Sequence, residues 1–205
     1  MIDCVIFDFD GTIVASNEIK KNTFYEVTKH LSGSSQELDN IFSSPNYGDR
    51  YSIMNQLVKN LKIENEEGIS AHQLAKSYSD ICDHKVSHAK EINGAIKAIN
   101  ELKKLKIKVF ISSATPKLAL INIISARGWE RLFDEIFGSP QSKNEHVQII
   151  ISKYQVSNKY TVYVGDSEID RITASSNGCQ FIGVGDNWSR FSTCLLYTSP
   201  SPRDS

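Results

Sequence analysis

The sequence predicts an α/β protein with a doubly wound parallel sheet, interrupted after its first strand by an all-helical insertion. Short β-branched or aromatic runs alternate with helical patterns in the second half of the chain, which is typical of parallel sheets. Between about residues 15 and 91 the β signals are absent. Polar residues follow several predicted strands, at the edge where such sheets bind ligands.

The predicted strands are short apolar runs that end at Ser, Gly or Asp. They are Cys4–Phe7, Ile107–Ser113, Glu135–Gly138, Tyr160–Val164 and Gln180–Val184. Apolar residues recur every three or four positions between these runs, as on the buried face of a helix. Examples are Ile96, Ile99 and Leu102 before the second strand, and Leu118, Ile121 and Ile124 after it.

The insertion contains three stretches with helical spacing, which begin near Phe24, Ile53 and Leu74 and are separated by clusters of Ser, Gly, Pro and Glu. The last residues show two Ser-Pro steps and no periodicity, and they resemble translated adapter sequence. The sequence therefore predicts an α/β core at 1–14 and 92–192, a helical cap at 15–91, and a non-native or disordered tail at 193–205.

Composition excludes several classes of protein. The chain has 205 residues, 40% of them apolar, and a net charge of −1, which favours a globular fold and gives no support for a nucleic-acid partner. No apolar run approaches the roughly 20 residues that span a bilayer. Acidic residues interrupt the N-terminal stretch, which argues against a signal peptide, and four scattered cysteines suggest neither disulfides nor zinc. We expect a cytoplasmic protein without a membrane partner; the sequence does not indicate its oligomeric state.

The segment Asp8-Phe9-Asp10-Gly11-Thr12 follows the first predicted strand. Side chains two residues apart on a strand point to the same side, so the two carboxylates lie close together. Like charges about 4 Å apart repel by roughly 4 kcal/mol at an effective dielectric near 20. A hard divalent cation with oxygen ligands is the first candidate to offset this repulsion.

Three further motifs follow in order. Ser113 ends the second strand, Lys143 begins a helix in Gly138-Ser-Pro-Gln-Ser-Lys143, and Asp166 and Asp170 lie in Gly165-Asp-Ser-Glu-Ile-Asp170. Together with the first motif, they resemble the four motifs of the haloacid dehalogenase superfamily. The resemblance covers residues 1 to about 185 and implies a Rossmann-like core with a helical cap. It is closest in type to the capped phosphoglycolate phosphatases and sugar phosphatases.

The resemblance implies a role for each carboxylate. Asp8 is the expected nucleophile, which forms an aspartyl-phosphate, and Asp10 the expected general acid and base. Asp8, Asp166 and the backbone carbonyl of Asp10 are expected to hold Mg²⁺. Asp170 could bind the metal directly, act through water or orient Lys143, and we favour the last two.

The resemblance also implies a phosphate site. Cations and hydrogen-bond donors aimed at the equatorial oxygens perform most of the catalysis in phosphoryl transfer. The expected groups are Gly11, Thr12, Ser113, Ala114 and Lys143. Ser112 competes with Ser113 for this role; we prefer Ser113 because a small residue follows it.

Each assignment has a structural alternative. Asp166 could only cap the following helix, and Lys143 could be a solvated lysine. The hydroxyl residues Ser112, Ser113 and Thr115 could be capping residues only. Arg50, at the start of a helix in the insertion, could recognise an anionic part of the substrate or be an ordinary surface arginine.

We therefore predict a Mg²⁺-dependent phosphatase, a phosphoric monoester hydrolase that acts on a small phosphorylated metabolite. A sugar-phosphate mutase of the same superfamily would use the same residues and is the main alternative. A catalytically silent binding protein on the same fold is a second alternative, from a different class. The sequence does not identify the substrate.

Overall fold

A five-stranded, all-parallel sheet forms the core of the computed structural model, which describes residues 2–44, 47–64 and 69–185. The strand order is β3-β2-β1-β4-β5, with the first strand in the middle. This is the predicted doubly wound α/β fold, and that prediction is confirmed. The strands are β1 (Cys4–Phe7), β2 (Lys108–Pro116), β3 (Glu135–Ser139), β4 (Thr161–Gly165) and β5 (Gln180–Gly183).

Two units can be distinguished in the chain. One comprises the residues up to Ala15 together with those from Lys90 onward, and the other is Ser16–Ala89. The first unit holds the sheet, four α-helices and two short 3₁₀ turns among its described residues. These are α5 (Ala95–Lys104), α6 (Lys117–Ala126), α7 (Lys143–Tyr154) and α8 (Glu168–Ser176), with turns at Glu130–Leu132 and Asn158–Tyr160.

The reversal of strand order places the helices on both faces of the sheet. The chain runs outward from β1 to β3 and then crosses back to β4. Since parallel crossovers are right-handed, α5 and α6 lie on one face, and α7 and α8 on the other. A buried apolar cluster joins the latter pair to the sheet and contains Cys4, Ile6, Phe110, Phe137, Val147, Ile150, Tyr163 and Ala174.

The second unit is entirely helical in its described part. It contains α1 (Asn17–Thr28), α2 (Ser34–Ser43), α3 (Arg50–Leu61) and α4 (Ala71–Ser87). Helix α2 lies between two of the predicted stretches, where the sequence predicts no separate helix. Its buried apolar residues are only Leu38 and Ile41, which is too short a pattern to show a helical period.

The predicted tail at 193–205 lies outside the described residues. Among the helices that the structure describes, none has the combination of length and apolar character that a bilayer span requires.

Candidate active site

The turn after β1 places the first two carboxylates. The amide of Asp8 donates to the carbonyl of Val164 at 2.8 Å, which extends the pairing of β1 with β4 by one residue. The chain then reverses at Gly11, whose φ of +75° is the left-handed region that glycine adopts without strain. The Gly11 amide donates to the Val14 carbonyl at 2.8 Å. This amide is therefore part of the turn, and binding a phosphate oxygen would require it to exchange partners.

Asp8 is a buried carboxylate in direct contact with a cation. Its Oδ2 lies 3.0 Å from Lys143 Nζ, and its Oδ1 accepts the amide of Phe9 at 2.7 Å. Burial raises the pKa of Asp8 to about 8, against the opposing effect of Lys143; the charges of Asp170 and Asp10 add to the rise. The ionised form of Asp8 thus needs more positive charge than Lys143 alone provides.

Lys143 is the first residue of α7 and points into the site. Ser142 precedes it as the N-cap and forms a capping box with Glu145, which fixes where the helix begins. The Lys143 side chain is only 10% exposed, and its Nζ donates to Asp170 Oδ1 at 2.7 Å. Burial alone would lower the pKa of Lys143, but Asp8 and Asp170 raise it above its usual range. The alternative of a solvated lysine is therefore wrong.

The residues after β4 supply two more carboxylates. Ser167, not Asp166, is the N-cap of α8, and it forms a capping box with Asp170. The alternative role of Asp166 as the cap is therefore wrong; its Oδ1 faces the Thr12 hydroxyl at 3.4 Å. A Cβ on Gly165 would lie 2.4 Å from Asp170 Cβ and Cγ. Only glycine leaves room there for the Asp170 side chain.

Three carboxylates converge at this edge of the sheet. Carboxylate oxygens of Asp8, Asp166 and Asp170 lie within 4.8 Å of one another. Among the described residues, this is the one cluster of three side chains that could hold a metal ion. Such a donor set suits a hard divalent cation. Asp170 already accepts Lys143 at Oδ1 and the Ser167 hydroxyl at Oδ2. Those contacts favour its predicted role as a group that orients Lys143 over direct metal ligation.

Three residues near the end of β2 carry hydroxyl groups, and these point to two opposite sides of the sheet. The Ser113 and Thr115 hydroxyls face Asp10 Oδ2, at 3.3 and 2.8 Å. The hydroxyl of Ser112 points the other way and pairs with His146 Nδ1 at 2.9 Å. This arrangement follows the strand period of two, and it brings Ser113 to the predicted site while excluding Ser112.

Two residues near the site are not assigned to it by the sequence. The signal for Thr115 was available, because it lies two positions beyond Ser113 on the same strand. His146 gave no comparable signal; it is buried on α7, between the Ser112 hydroxyl and the Gly138 carbonyl. Ala114, whose amide was predicted to bind phosphate, is exposed at this edge.

Arg50 lies in the helical unit, where its guanidinium has several partners. Its Nη1 donates to the Ser79 hydroxyl at 2.7 Å and lies 3.9 Å from Asp83 Oδ1. Its Cζ lies over the Tyr78 ring, 5.2 Å from the ring centroid. Its side chain is only 10% exposed, so it is not an ordinary surface arginine. Its predicted contact with substrate stays a prediction.

Comparison with known proteins agrees with this geometry. A phosphoglycolate phosphatase of Cereibacter sphaeroides is 26% identical over 184 residues, which cover 86% of this chain and 82% of the relative. Among solved structures, a protein assigned as a β-phosphoglucomutase from Thermotoga maritima aligns with a TM-score of 0.71 and 20% identity, over 92% of this chain and 90% of that one.

A second solved structure, a HAD-type hydrolase of Bacillus subtilis bound to magnesium, aligns with a TM-score of 0.66 and 16% identity, over 88% of this chain and 87% of that one. The family model for haloacid dehalogenase-like hydrolases matches residues 5–184, which include all four motifs and the whole sheet except Cys4. With its strand order and its cluster of carboxylates around a buried lysine, the chain belongs to the haloacid dehalogenase-like hydrolases.

Proposed function

We propose that this protein is a Mg²⁺-dependent phosphatase that hydrolyses a small phosphorylated metabolite through an aspartyl-phosphate intermediate. The observation that carries the proposal is the placement of Asp8, a buried carboxylate in contact with Lys143 and within reach of two further carboxylates. Membership of the hydrolase family and the phosphoglycolate phosphatase relative support its classification as a phosphoric monoester hydrolase.

In the first step, a carboxylate oxygen of Asp8 attacks phosphorus as the bond from phosphorus to the leaving oxygen breaks. Asp10, two residues further on, gives a proton to that oxygen. In the second step, Asp10 takes a proton from a water molecule that attacks the same phosphorus. The products are inorganic phosphate and free Asp8, with both carboxyl groups returned to their starting protonation.

The surroundings of Asp8 fit these steps. Asp8 must be ionised to attack, yet burial and its acidic neighbours raise its pKa to about 8. Mg²⁺ held by Asp8 and Asp166, with the carbonyl of Asp10, would supply charge that favours ionised Asp8 and balances the phosphoryl oxygens. Lys143 supplies the second positive charge, and Asp170 holds it in place.

The transferring phosphoryl group needs donors for its equatorial oxygens. Lys143 contacts Asp8 from the start of α7, and the hydroxyl of Ser113 faces Asp10 from the end of β2. We assign the Ala114 amide and the Gly11–Thr12 turn to the same phosphate site. The helical unit would serve as the cap that selects the substrate, with Arg50 as its candidate anion-binding residue.

The proposal is tested by measuring hydrolysis of p-nitrophenyl phosphate with and without Mg²⁺. We expect activity that is abolished by EDTA, restored by Mg²⁺ and lost in Asp8→Asn. The matched control is Asp3→Asn, an acidic residue before β1 that lies outside the site. Full activity in D8N, or no activity in the folded wild type, would exclude the mechanism; the second result would favour a silent binding protein.

A phosphomutase remains the second candidate, because the Thermotoga maritima structure shares the fold. The two reactions differ in what accepts the phosphoryl group from Asp8. Incubation with glucose 1-phosphate and analysis of the products by ³¹P NMR separates them: inorganic phosphate indicates a phosphatase, and glucose 6-phosphate indicates a mutase.

A further inference from the structure

The hydroxyl of Thr115 lies closer to Asp10 than the hydroxyl of Ser113 does. Thr115 Oγ1 lies 2.8 Å from Asp10 Oδ2, whereas Ser113 Oγ lies 3.3 Å from the same oxygen. We propose that Thr115 is a positioning residue that aims the carboxyl group of Asp10 at the leaving oxygen. This inference rests on the proposed function, because it concerns the proton that Asp10 transfers.

The local backbone makes this contact specific. Ser113 and Thr115 lie two positions apart near the end of β2, and both hydroxyls face Asp10 Oδ2. The amide of Thr115 also donates to Ser113 Oγ at 3.0 Å, which fixes the two hydroxyls relative to each other. Thr115 is only 3% exposed, so little water is available to replace its hydroxyl.

A hydroxyl has a single proton to donate. Ser113 cannot donate at once to Asp10 and to a phosphoryl oxygen, which is its role in the proposed mechanism. When substrate binds, Ser113 turns its proton to the phosphoryl group, and Thr115 remains as a donor to Asp10. The two hydroxyls therefore have different acceptors: Ser113 donates to the phosphoryl group, and Thr115 donates to the carboxyl group of Asp10.

The role of Thr115 can be tested by comparing the rates of substrates that differ in their leaving groups. A substrate with a poor leaving group depends on protonation by Asp10, while one with a good leaving group departs largely without it. Loss of the Thr115 hydroxyl should slow the first kind of substrate more than the second. A general loss of packing or stability would slow both kinds equally.

The test compares kcat/KM for glycerol 2-phosphate, an alkyl ester, with kcat/KM for 2,4-dinitrophenyl phosphate. This parameter reports the steps up to departure of the leaving group. In Thr115→Val, we expect the ratio of alkyl to aryl values to fall at least about tenfold from that of the wild type. In Thr115→Ser, which keeps the hydroxyl, the ratio should stay within about threefold.

Thr161→Val is the matched control. Thr161 is also a buried threonine of the sheet, but it begins β4, at the end of the strand opposite to Asp166. Its variant should keep the wild-type ratio. Should T115V fail to fold, Thr115→Ala is measured in the same way, since it places no new methyl group against Asp10.

Two results would overturn the inference: an unchanged ratio in the valine or alanine variant, or an equal fall in the serine variant. A wild type that hydrolyses neither ester in the presence of Mg²⁺ would instead contradict the proposed function. The failure of one proposal is thus distinguishable from the failure of the other.

Discussion

Lys143 and Asp170 form a buried ion pair, with Nζ 2.7 Å from Oδ1, that joins the first turns of two neighbouring helices. Lys143 begins α7, and Asp170 closes the capping box of α8 through its other oxygen. One carboxylate therefore both fixes the start of a helix and holds the cation that touches Asp8. Structure and chemistry at this site depend on the same side chain.

Replacing Asp170 by Asn should impair both roles. Lys143 and the Ser167 hydroxyl donate to different oxygens of Asp170, so Asn could offer its one oxygen to only one of them and would place an NH₂ group at the other position. We expect kcat for p-nitrophenyl phosphate to fall about 10- to 100-fold and the free energy of unfolding to fall by about 1–3 kcal/mol. Steady-state kinetics and urea denaturation measure the two effects. The control is Glu168→Gln, at an exposed acid of the same helix, which should change kcat and the free energy of unfolding little. A wild-type kcat in D170N would show that catalysis does not need the ion pair of Lys143 and Asp170.

Gly165 should not tolerate a side chain. A Cβ there would lie 2.4 Å from Asp170 Cβ and Cγ, so alanine must displace the carboxylate from Lys143. We expect Gly165→Ala to destabilise the protein by about 1–3 kcal/mol and to lower kcat.

Gly128→Ala is the control for this change. Gly128 has a φ of +68°, but a Cβ there meets nothing within 4 Å. Its variant should lose about 1 kcal/mol from backbone strain alone and keep its kcat. If both glycine variants lose the same stability and neither loses activity, the predicted displacement of Asp170 does not occur.

His146 should make the stability of the protein depend on pH. Burial, aided by Lys143 and Lys117, lowers the pKa of His146 below its ordinary value of 6.5, against the opposing effect of the Gly138 carbonyl. Below about pH 6.5 the unfolded chain then binds a proton that the folded chain does not, so stability is lost as pH falls and is fully present above that value.

Urea unfolding at about pH 8 and about pH 5.5 measures this dependence. His146→Gln keeps hydrogen-bonding groups near Ser112 but cannot be protonated. We expect the variant to be less stable than the wild type at the higher pH, with the difference becoming smaller at the lower pH. A difference that stays constant would mean that folding leaves the pKa of His146 unchanged, and one that grows on acidification would mean that folding raises it. Either result would contradict the prediction.

Arg50 should contribute to the stability of the helical unit through its contacts with Ser79 and Tyr78. We expect Arg50→Met to lower the free energy of unfolding by about 1–2 kcal/mol. Lys59→Met, at an exposed cation on the same helix, should leave stability within about 0.5 kcal/mol. A rise in KM without any loss of stability would instead favour the predicted contact of Arg50 with substrate.

Much of the site could be predicted because the carboxyl ends of parallel strands meet at one edge of a sheet. Asp8, Ser113 and Asp166 each follow a recognisable apolar run, so strand assignment alone brings them together. The preference for Ser113 over Ser112 also follows from sequence. The small residue after Ser113 suggested it, and the alternation of side chains along β2 gives the physical reason.

Other features depend on three-dimensional contacts that leave no local pattern. The direction of Asp170 is set by the absence of a side chain on Gly165, and the partner of His146 lies 34 residues away in the chain. Helix α2 buries too few apolar residues to reveal a period. In these cases tertiary packing, and not local propensity, determines the outcome.

The contacts of the adjacent serines Ser112 and Ser113 depend on the register of β2. A one-residue slip in one direction would present Ala114 where Ser113 now faces Asp10, and the site would lose its hydroxyl. A slip in the other direction would keep a serine there but place Ile111 against His146, whose buried nitrogen would lose its partner at a cost of about 1–3 kcal/mol. Of these three registers, only the native one keeps both a hydroxyl at Asp10 and a partner for His146.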